Sequence, residues 1–195
     1  VGVITTSDMI RPHAKDTVDR LKGLGLEVGI LTGDNRYVAG AIANELNITT
    51  VLSGVLPGGK SKEIKKMQAK GLTVGMVGDG INDAPALAQA DLGIAVGSGT
   101  DVAIEASDIT LMTNDLRSVV DAIELSSKTM AKVKQNLFWA FFYNCLGIPI
   151  AAGALYPTFG ILLNPVHAAL AMAFSSVSVV SNSLLLKRFI PKRRI

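Results

Sequence analysis

The sequence contains a single cysteine, Cys145, among its 195 residues, so no disulfide can form within it. It has neither an initiator methionine nor a signal-peptide pattern, from which we expect the N-terminus to belong to a longer protein. Aromatic residues make up 5% of the chain, and they are not interleaved with the basic residues. This pattern argues against a nucleic-acid-binding surface.

Formal charge is almost absent from residues 136–186, whereas acidic and basic residues are mixed up to about residue 127. The net charge of the chain is +3, and the basic excess lies at the edges of this apolar region. Such a distribution is typical of the flanks of membrane spans rather than of a nucleic-acid-binding protein.

The first two-thirds of the chain alternates short apolar runs with helical patterns. Such alternation predicts a parallel, Rossmann-type α/β sheet with helices on both faces. The predicted strands are residues 1–5, 26–31, 48–52, 72–77, 92–96 and 109–112. The predicted helices are residues 12–24, with Gly25 as the C-cap, 36–46, 61–69, a short one after residue 84, and one from 101.

The stretch from Gly78 to Pro85 follows a buried apolar strand and precedes a helix that a proline can begin. Asp79 and Asp83 supply the hard oxygen ligands that Mg²⁺ takes beside a substrate phosphate. In an open parallel sheet, ligands bind beyond the carboxyl ends of the strands, where this loop is expected. Gly-Asp and Asn-Asp are also ordinary turn dipeptides. Two carboxylates and the amide of Asn82 in one loop favour a magnesium and phosphate site.

Two further loops are expected at the same edge of the sheet. In one, Thr32 could hydrogen-bond a phosphate oxygen, Gly33 allows close approach of the backbone, and Asp34 could orient the loop. A helix N-cap is the alternative interpretation of this loop. In the other, Lys60 could neutralise a phosphoryl group as a point charge, although it could also be one of several solvated lysines. The turn at residues 97–99 lacks the spacing of a dinucleotide fingerprint.

Two long apolar stretches, residues 137–156 and 165–186, follow. Twenty helical residues span about 30 Å, the thickness of the hydrocarbon core of a bilayer. The turn at residues 157–164 predicts that the stretches form a helical hairpin. Both outer flanks are basic, which predicts that they are cytoplasmic. A buried hairpin in a soluble protein is the alternative.

Polar residues inside a membrane span usually face a partner or a pathway. Asn144 lies in the first stretch; Met172 and Ser176 lie one helical turn apart in the second. A methionine thioether is a soft ligand that selects Cu(I), and neither stretch contains a carboxylate that would favour Zn²⁺. Serines also join membrane helices by packing, and we expect the same role for Cys145.

The chain resembles the C-terminal part of the heavy-metal-transporting P-type ATPases, most closely the copper-pumping branch. The resemblance covers essentially all residues. It rests on six segments: Leu31-Thr32-Gly33-Asp34-Asn35, Leu56-Pro57-Gly58-Gly59-Lys60, Val77-Gly78-Asp79-Gly80-Ile81-Asn82-Asp83-Ala84-Pro85-Ala86-Leu87, Asp91-Leu92-Gly93-Ile94-Ala95-Val96-Gly97-Ser98-Gly99, Tyr143-Asn144 and Met172-Ala173-Phe174-Ser175-Ser176. It implies a haloacid dehalogenase-like phosphorylation domain, incomplete, over residues 1–126, and a two-span transmembrane hairpin over residues 127–195.

The resemblance implies a role for each matched residue and each cofactor. In the active site, Thr32, Lys60, Asp79 and Asp83 would be catalytic, the carboxylates would hold Mg²⁺, and Gly33, Asp34 and Asn82 would help to bind the phosphoryl group. In the membrane, Tyr143, Asn144, Met172 and Ser176 would hold the transported Cu(I). The implied reaction is phosphoryl transfer from ATP to an aspartate, followed by hydrolysis. The implied partners are a cell membrane crossed several times, the remaining domains of the pump and a copper chaperone, with no nucleic acid.

The chain lacks the family's Asp-Lys-Thr-Gly-Thr motif, whose aspartate is phosphorylated. We therefore expect these 195 residues not to hydrolyse ATP alone, and the sheet to have an unpaired edge. The alternatives are a pump for zinc or another heavy metal and a non-catalytic, membrane-anchored truncated module. A phosphatase with a membrane anchor is disfavoured, since an anchor needs neither two spans nor polar residues within them.

Overall fold

The computed structural model describes residues 10–79, 81–97, 101–160 and 165–191, without the side chains of residues 81, 165, 167–169, 171 and 172. The chain divides into two compact units, Val1–Asp121 and Ala122–Ile195. The predicted strand at residues 1–5 and most of the turn at residues 97–99 fall outside the described residues.

The first unit alternates helices and strands, which confirms the α/β class. Its elements are α1 (Ala14–Gly23), β1 (Gly29–Leu31), α2 (Arg36–Glu45), β2 (Thr50–Leu52), α3 (Pro57–Gln68), β3 (Gly75–Gly78), a 3₁₀ turn (Ile81–Asp83), α4 (Ala84–Gln89), β4 (Leu92–Val96), α5 (Asp101–Glu105) and β5 (Ile109–Leu111). Gly25 ends the first helical segment as predicted, with a left-handed φ of 82° that glycine adopts without strain.

The described strands form two parallel sheets, not the one sheet that the sequence predicted. One sheet pairs β1 with β2, and the other has the order β3-β4-β5. Within the described residues, β1 and β3 therefore each pair on one side only. The central strand β4 is the best buried, since Ile94, Ala95 and Val96 are at most 2% exposed.

Helix α3 begins earlier than predicted. Residues 57–60, expected to be a loop, form its first turn, with Pro57 near its N-terminus. Proline suits this position because its missing N–H would have no partner inside the helix and its φ is already helical. The change places Lys60 on a helix, where its backbone is fixed.

The core of the first unit combines β4 with the inner faces of the helices. Ile64 of α3 and Leu87 of α4 are each 1% exposed. These two helices are joined by their glutamines, because Gln89 Nε2 donates to Gln68 Oε1 at 2.9 Å and Gln68 Nε2 donates to the carbonyl of Gln89 at 3.0 Å. These hydrogen bonds join the C-terminal ends of α3, which follows β2, and α4, which follows β3.

The described residues continue with α6 (Arg117–Ala151), which begins in the first unit, α7 (Tyr156–Phe159), α8 (Pro165–Leu184) and a 3₁₀ turn (Leu185–Arg188). The first apolar stretch, predicted to be helical over residues 137–156, is helical only to Ala151, where α6 ends. Gly153 then takes a left-handed φ of 90°. No helix within the described residues has both the length and the apolarity needed to cross a bilayer. The predicted hairpin is therefore not confirmed.

Candidate active site

The loop after β1 positions the hydroxyl of Thr32. Its Oγ1 donates to Asp34 Oδ2 at 2.8 Å and accepts the backbone N–H of Asp34 at 3.1 Å. The helix that follows is capped by Asn35, whose Oδ1 accepts the N–H groups of Tyr37 and Val38, each at 3.0 Å. Because Asn35 performs the capping, the N-cap alternative does not account for Thr32 and Asp34. Both remain candidates for contacting a phosphoryl group, with Gly33 exposed between them.

Lys60 and Asp83 form an ion pair between α3 and the 3₁₀ turn after β3. Lys60 Nζ lies 2.7 Å from Asp83 Oδ1, and both side chains are 15% exposed. A solvated lysine would be far more exposed, so the structure removes the alternative interpretation of Lys60. Two residues predicted to serve one site are thus in contact although 23 positions separate them.

Gly78 makes room for this pair. A Cβ placed on Gly78 would lie 2.8 Å from Asp83 Cβ and 2.9 Å from Asp83 Oδ2. These distances are shorter than any ordinary van der Waals contact, so the position excludes a larger residue unless Asp83 moves. Gly78, the last residue of β3, therefore allows the second carboxylate of the loop to lie close to the strand.

Asp79 contacts Arg11, which lies just before α1. Both side chains are about half exposed, at 48% and 45%. From the sequence, Arg11 was expected to be a surface or capping residue and not part of the site. No local pattern could have found it, since 68 positions separate it from its partner. Asn82 is exposed in the 3₁₀ turn, and Gly80 lies outside the described residues.

The donor set at this loop fits Mg²⁺ only together with a phosphate. Within the described residues no three His, Cys, Asp or Glu side chains cluster in a way that could hold a metal ion. Mg²⁺ in phosphoryl-transfer sites, however, is usually held by one or two carboxylates, with substrate oxygens and waters completing the shell. The accessible carboxylate of Asp79 and the neighbouring Asp83 meet that requirement.

Asp91 joins the N-terminal ends of β3 and β4 by hydrogen bonds. Its Oδ2 accepts the backbone N–H of Val74 at 2.8 Å, while its own N–H donates to the carbonyl of Val74 at 2.9 Å. The hydrogen bond from Val74, followed by one from Gln68, holds the pKa of Asp91 below its ordinary value. The ionised form is stabilised because it is the better acceptor.

The candidate copper ligands lie on the two long helices of the second unit. Tyr143 and Asn144 are on α6 and Ser176 is on α8. The ring of Tyr143 is 6.0 Å from that of Trp139. The side chain of Met172 lies outside the described residues, so the four-residue copper site stays a prediction.

Comparison with known proteins identifies the α/β unit. Residues 1–91 match the family model for haloacid dehalogenase-like hydrolases. A zinc-transporting PIB-type ATPase solved in its E2.Pi state superposes on 92% of this chain and 28% of its own, with a TM-score of 0.79 and 39% identity. The first unit has a haloacid dehalogenase-like fold.

Sequence relatives extend the similarity to nearly the whole chain. A probable copper-exporting P-type ATPase of Archaeoglobus fulgidus is 60% identical over 193 residues, 99% of this chain and 24% of that protein. A copper-exporting P-type ATPase of Vibrio cholerae is 56% identical over 93% of this chain and 20% of that protein. The chain thus spans about a quarter of the length of the curated relatives that it matches.

Proposed function

We propose that the chain is a segment of an ATP-driven, copper(I)-exporting P-type ATPase. The observation that carries the proposal is the 60% identity to a named copper exporter over 99% of the chain. The contact between Lys60 and Asp83 supports it, because it joins two of the residues on which the family resemblance rests. Residues 1–126 are then the later part of the phosphorylation domain, and residues 127–195 a membrane hairpin.

The reaction begins when a carboxylate oxygen of an aspartate in another part of the pump attacks the γ-phosphorus of ATP. A mixed anhydride forms, ADP leaves, and a water molecule later attacks the phosphorus to release inorganic phosphate. Such transfer needs positioning and charge neutralisation more than covalent help from the protein. Lys60 supplies a positive charge, and Gly33, Asp34 and Asn82 hold the loops. The hydroxyl of Thr32 has one proton, which it donates to Asp34 in the structure and would donate to a phosphate oxygen once a phosphoryl group is bound. Asp79 and Asp83 would hold Mg²⁺, which would supply further positive charge beside the phosphate.

The unpaired edges of β1 and β3 support the proposal that a strand carrying the phosphorylated aspartate comes from another part of the pump. Among the described strands, β1 pairs with β2 alone and β3 with β4 alone. A parallel strand that pairs with both would merge the two sheets and bring its carboxyl end to the loops of Thr32 and Asp79. In an open α/β sheet, that edge is where ligands bind.

The hairpin is supported by the apolar side chains that α6 and α8 leave uncovered. Phe141 and Ile148 on α6 are 62% and 67% exposed, and Phe174 and Val177 on α8 are 70% and 61% exposed. Soluble proteins rarely leave such large apolar side chains exposed in contiguous patches. A bilayer would cover them, with Tyr143, Asn144, Met172 and Ser176 facing the transported Cu(I).

Zinc transport is the second candidate, favoured by the structural match to a zinc-transporting ATPase. The test is ATPase activity in membranes that contain a full-length protein with this chain, with Cu(I) or Zn²⁺ added. We expect stimulation by Cu(I) that is lost in Met172→Ala and kept in Met130→Ala, a methionine of α6 outside the predicted span. Stimulation by Zn²⁺, or indifference to Met172→Ala, would reject copper. If no metal stimulates ATPase activity, the pump is rejected and the non-catalytic, membrane-anchored module is the remaining alternative.

A further inference from the structure

A cleft in the second unit collects positive charge. It has a volume of about 230 Å³ and lies between the first half of α6 and the 3₁₀ turn Leu185–Arg188 that follows α8. Its charged lining consists of Lys128, Lys132 and Arg188, and its apolar lining includes Leu185, Leu186 and Phe189. The space is larger than a phosphate group. None of the described residues that line it belongs to the predicted phosphorylation or copper sites.

Among the described residues, no carboxylate lines the cleft to balance these cations. Residues 122–195 contain eight lysines and arginines, at positions 128, 132, 134, 187, 188, 192, 193 and 194. They contain one acidic residue, Glu124, which lies one helical turn before Lys128. Three cations that converge without a carboxylate among them repel one another, so an anion bound between them would be stabilised.

Two contacts hold the lysines without neutralising them. Lys128 Nζ lies 4.4 Å from the centre of the Phe189 ring, within the range of a cation–π interaction. Lys132 Nζ donates to Asn182 Oδ1 at 2.7 Å. An ammonium group has three donors, so the contact with neutral Asn182 leaves both the charge and further donors for a ligand.

We propose that this cleft binds the phosphate of an anionic phospholipid. The inference rests on the membrane hairpin of the proposed function. In that hairpin the lysines precede the first apolar stretch and Arg188 follows the second, so the cleft lies where both helices reach the bilayer surface. The cations bind the phosphate, and Leu185 and Leu186 contact the glycerol and the start of the acyl chains. A free phosphate ion would use the cations but gain nothing from this apolar wall.

The experiment uses a full-length protein with this chain, reconstituted in bilayers of phosphatidylcholine with a minority of phosphatidylglycerol. After detergent extraction, the phosphatidylglycerol that stays bound is quantified by mass spectrometry. A basic residue near a membrane surface strengthens binding of anionic lipid about fivefold. We therefore expect about a fivefold loss for Lys128→Gln or Arg188→Gln, and little loss for Lys134→Gln, an exposed lysine of the same helix outside the cleft.

The conservative exchanges Lys128→Arg and Arg188→Lys should keep the lipid bound, which separates lost charge from lost folding. Equal losses in all three glutamine variants would reduce the effect to general surface charge and overturn the cleft. Displacement of the lipid by inorganic phosphate at equal concentration would assign the cleft to a free anion.

Extraction of the native membranes with alkaline carbonate separates the two proposals. A protein washed out by carbonate refutes the hairpin, whereas a retained protein without selective lipid binding refutes the cleft alone.

Discussion

Lys60 Nζ donates to Asp83 Oδ1 at 2.7 Å, and each side chain is 15% exposed. The contact bridges the two sheets of the first unit, because Lys60 follows β2 and Asp83 follows β3. Removing one partner of an ion pair that is this well buried leaves the other charge uncompensated, which destabilises the fold. In the proposed pump, a phosphoryl group that arrives here would compete with Asp83 for the lysine. The same contact would then bear on both stability and phosphoryl transfer.

Replacement of the lysine should therefore be costly. Lys60→Ala leaves a mostly buried carboxylate without its cation, so we expect the free energy of unfolding to fall by about 1–3 kcal/mol. Lys62→Ala, an exposed lysine on the same helix, should change it by less than about 0.5 kcal/mol. Urea denaturation of both variants measures the difference. Equal effects would mean that Lys60 acts as an ordinary surface lysine.

Gly78 and Gly75 provide a matched pair within β3. A Cβ at Gly78 would approach Asp83 Cβ to 2.8 Å, whereas the nearest atom to a Cβ at Gly75 is the Leu92 carbonyl oxygen at 3.9 Å. We expect Gly78→Ala to displace Asp83 and cost about 1–3 kcal/mol, with little effect of Gly75→Ala. Thermal denaturation gives the stabilities, and phosphoenzyme formation by a full-length protein tests the function. If both alanines are tolerated, the loop is less rigid than this geometry requires.

The sequence predicted the α/β alternation because each strand is a short apolar run bounded by glycine or by polar turn residues. It also selected Lys60 and Asp83, since their residue types suit a phosphate site. It could not predict that they touch, because a contact across 23 positions depends on how α3 packs against α4. Arg11 was missed for the same reason.

Two predictions were wrong, the first for a local reason and the second for a non-local one. The start of α3 was placed too late because a proline followed by two glycines resembles a loop, although proline is also favoured at the first helical turn. The single predicted sheet became two among the described residues because strand alternation reports the order of elements but not which strands share hydrogen bonds. Pairing is decided by non-local packing, which a residue pattern does not encode.

Asp91 should make stability depend on pH. Its pKa is held below the ordinary value by the hydrogen bonds from Val74 and Gln68, so the folded state favours the ionised form. The stabilisation is present above the ordinary aspartate pKa, near 3.8, and is lost as the pH falls through the lower pKa of the folded state. We expect Asp91→Ala to lower the melting temperature near pH 7 and to converge with the wild type in acid. A difference that is constant with pH would exclude this carboxylate as the cause.

Arg20 of α1 and Asp121 of α6 form a second shielded ion pair at 3.1 Å, with each side chain 12% exposed. Asp121→Ala would leave the guanidinium without this counter-ion, so we expect the free energy of unfolding to fall by about 3 kcal/mol. Asp19→Ala, an exposed aspartate on α1, should cost less than about 0.5 kcal/mol. Guanidinium denaturation compares the two. A loss shared by both variants would indicate an effect of overall charge and not of the pair.

Side-chain contacts between α6 and α8 give a direct test of the hairpin. Asn136 Nδ2 donates to Ser183 Oγ at 2.8 Å, and Asn182 Nδ2 donates to Asn136 Oδ1 at 2.8 Å. In a background with Cys145→Ser, we expect Asn136→Cys with Ser183→Cys to be joined rapidly by a short thiol crosslinker. The control pair, Asn136→Cys with Ser181→Cys, should react slowly, because residues two apart on a helix point to different sides. Electrophoretic mobility after proteolytic cleavage between the helices scores the link.

Equal reaction of both pairs would mean that α8 rotates freely against α6. Met172 and Ser176 would then have no fixed position relative to Tyr143 and Asn144. Fast reaction of the first pair alone fixes the helix faces that the proposed copper site requires.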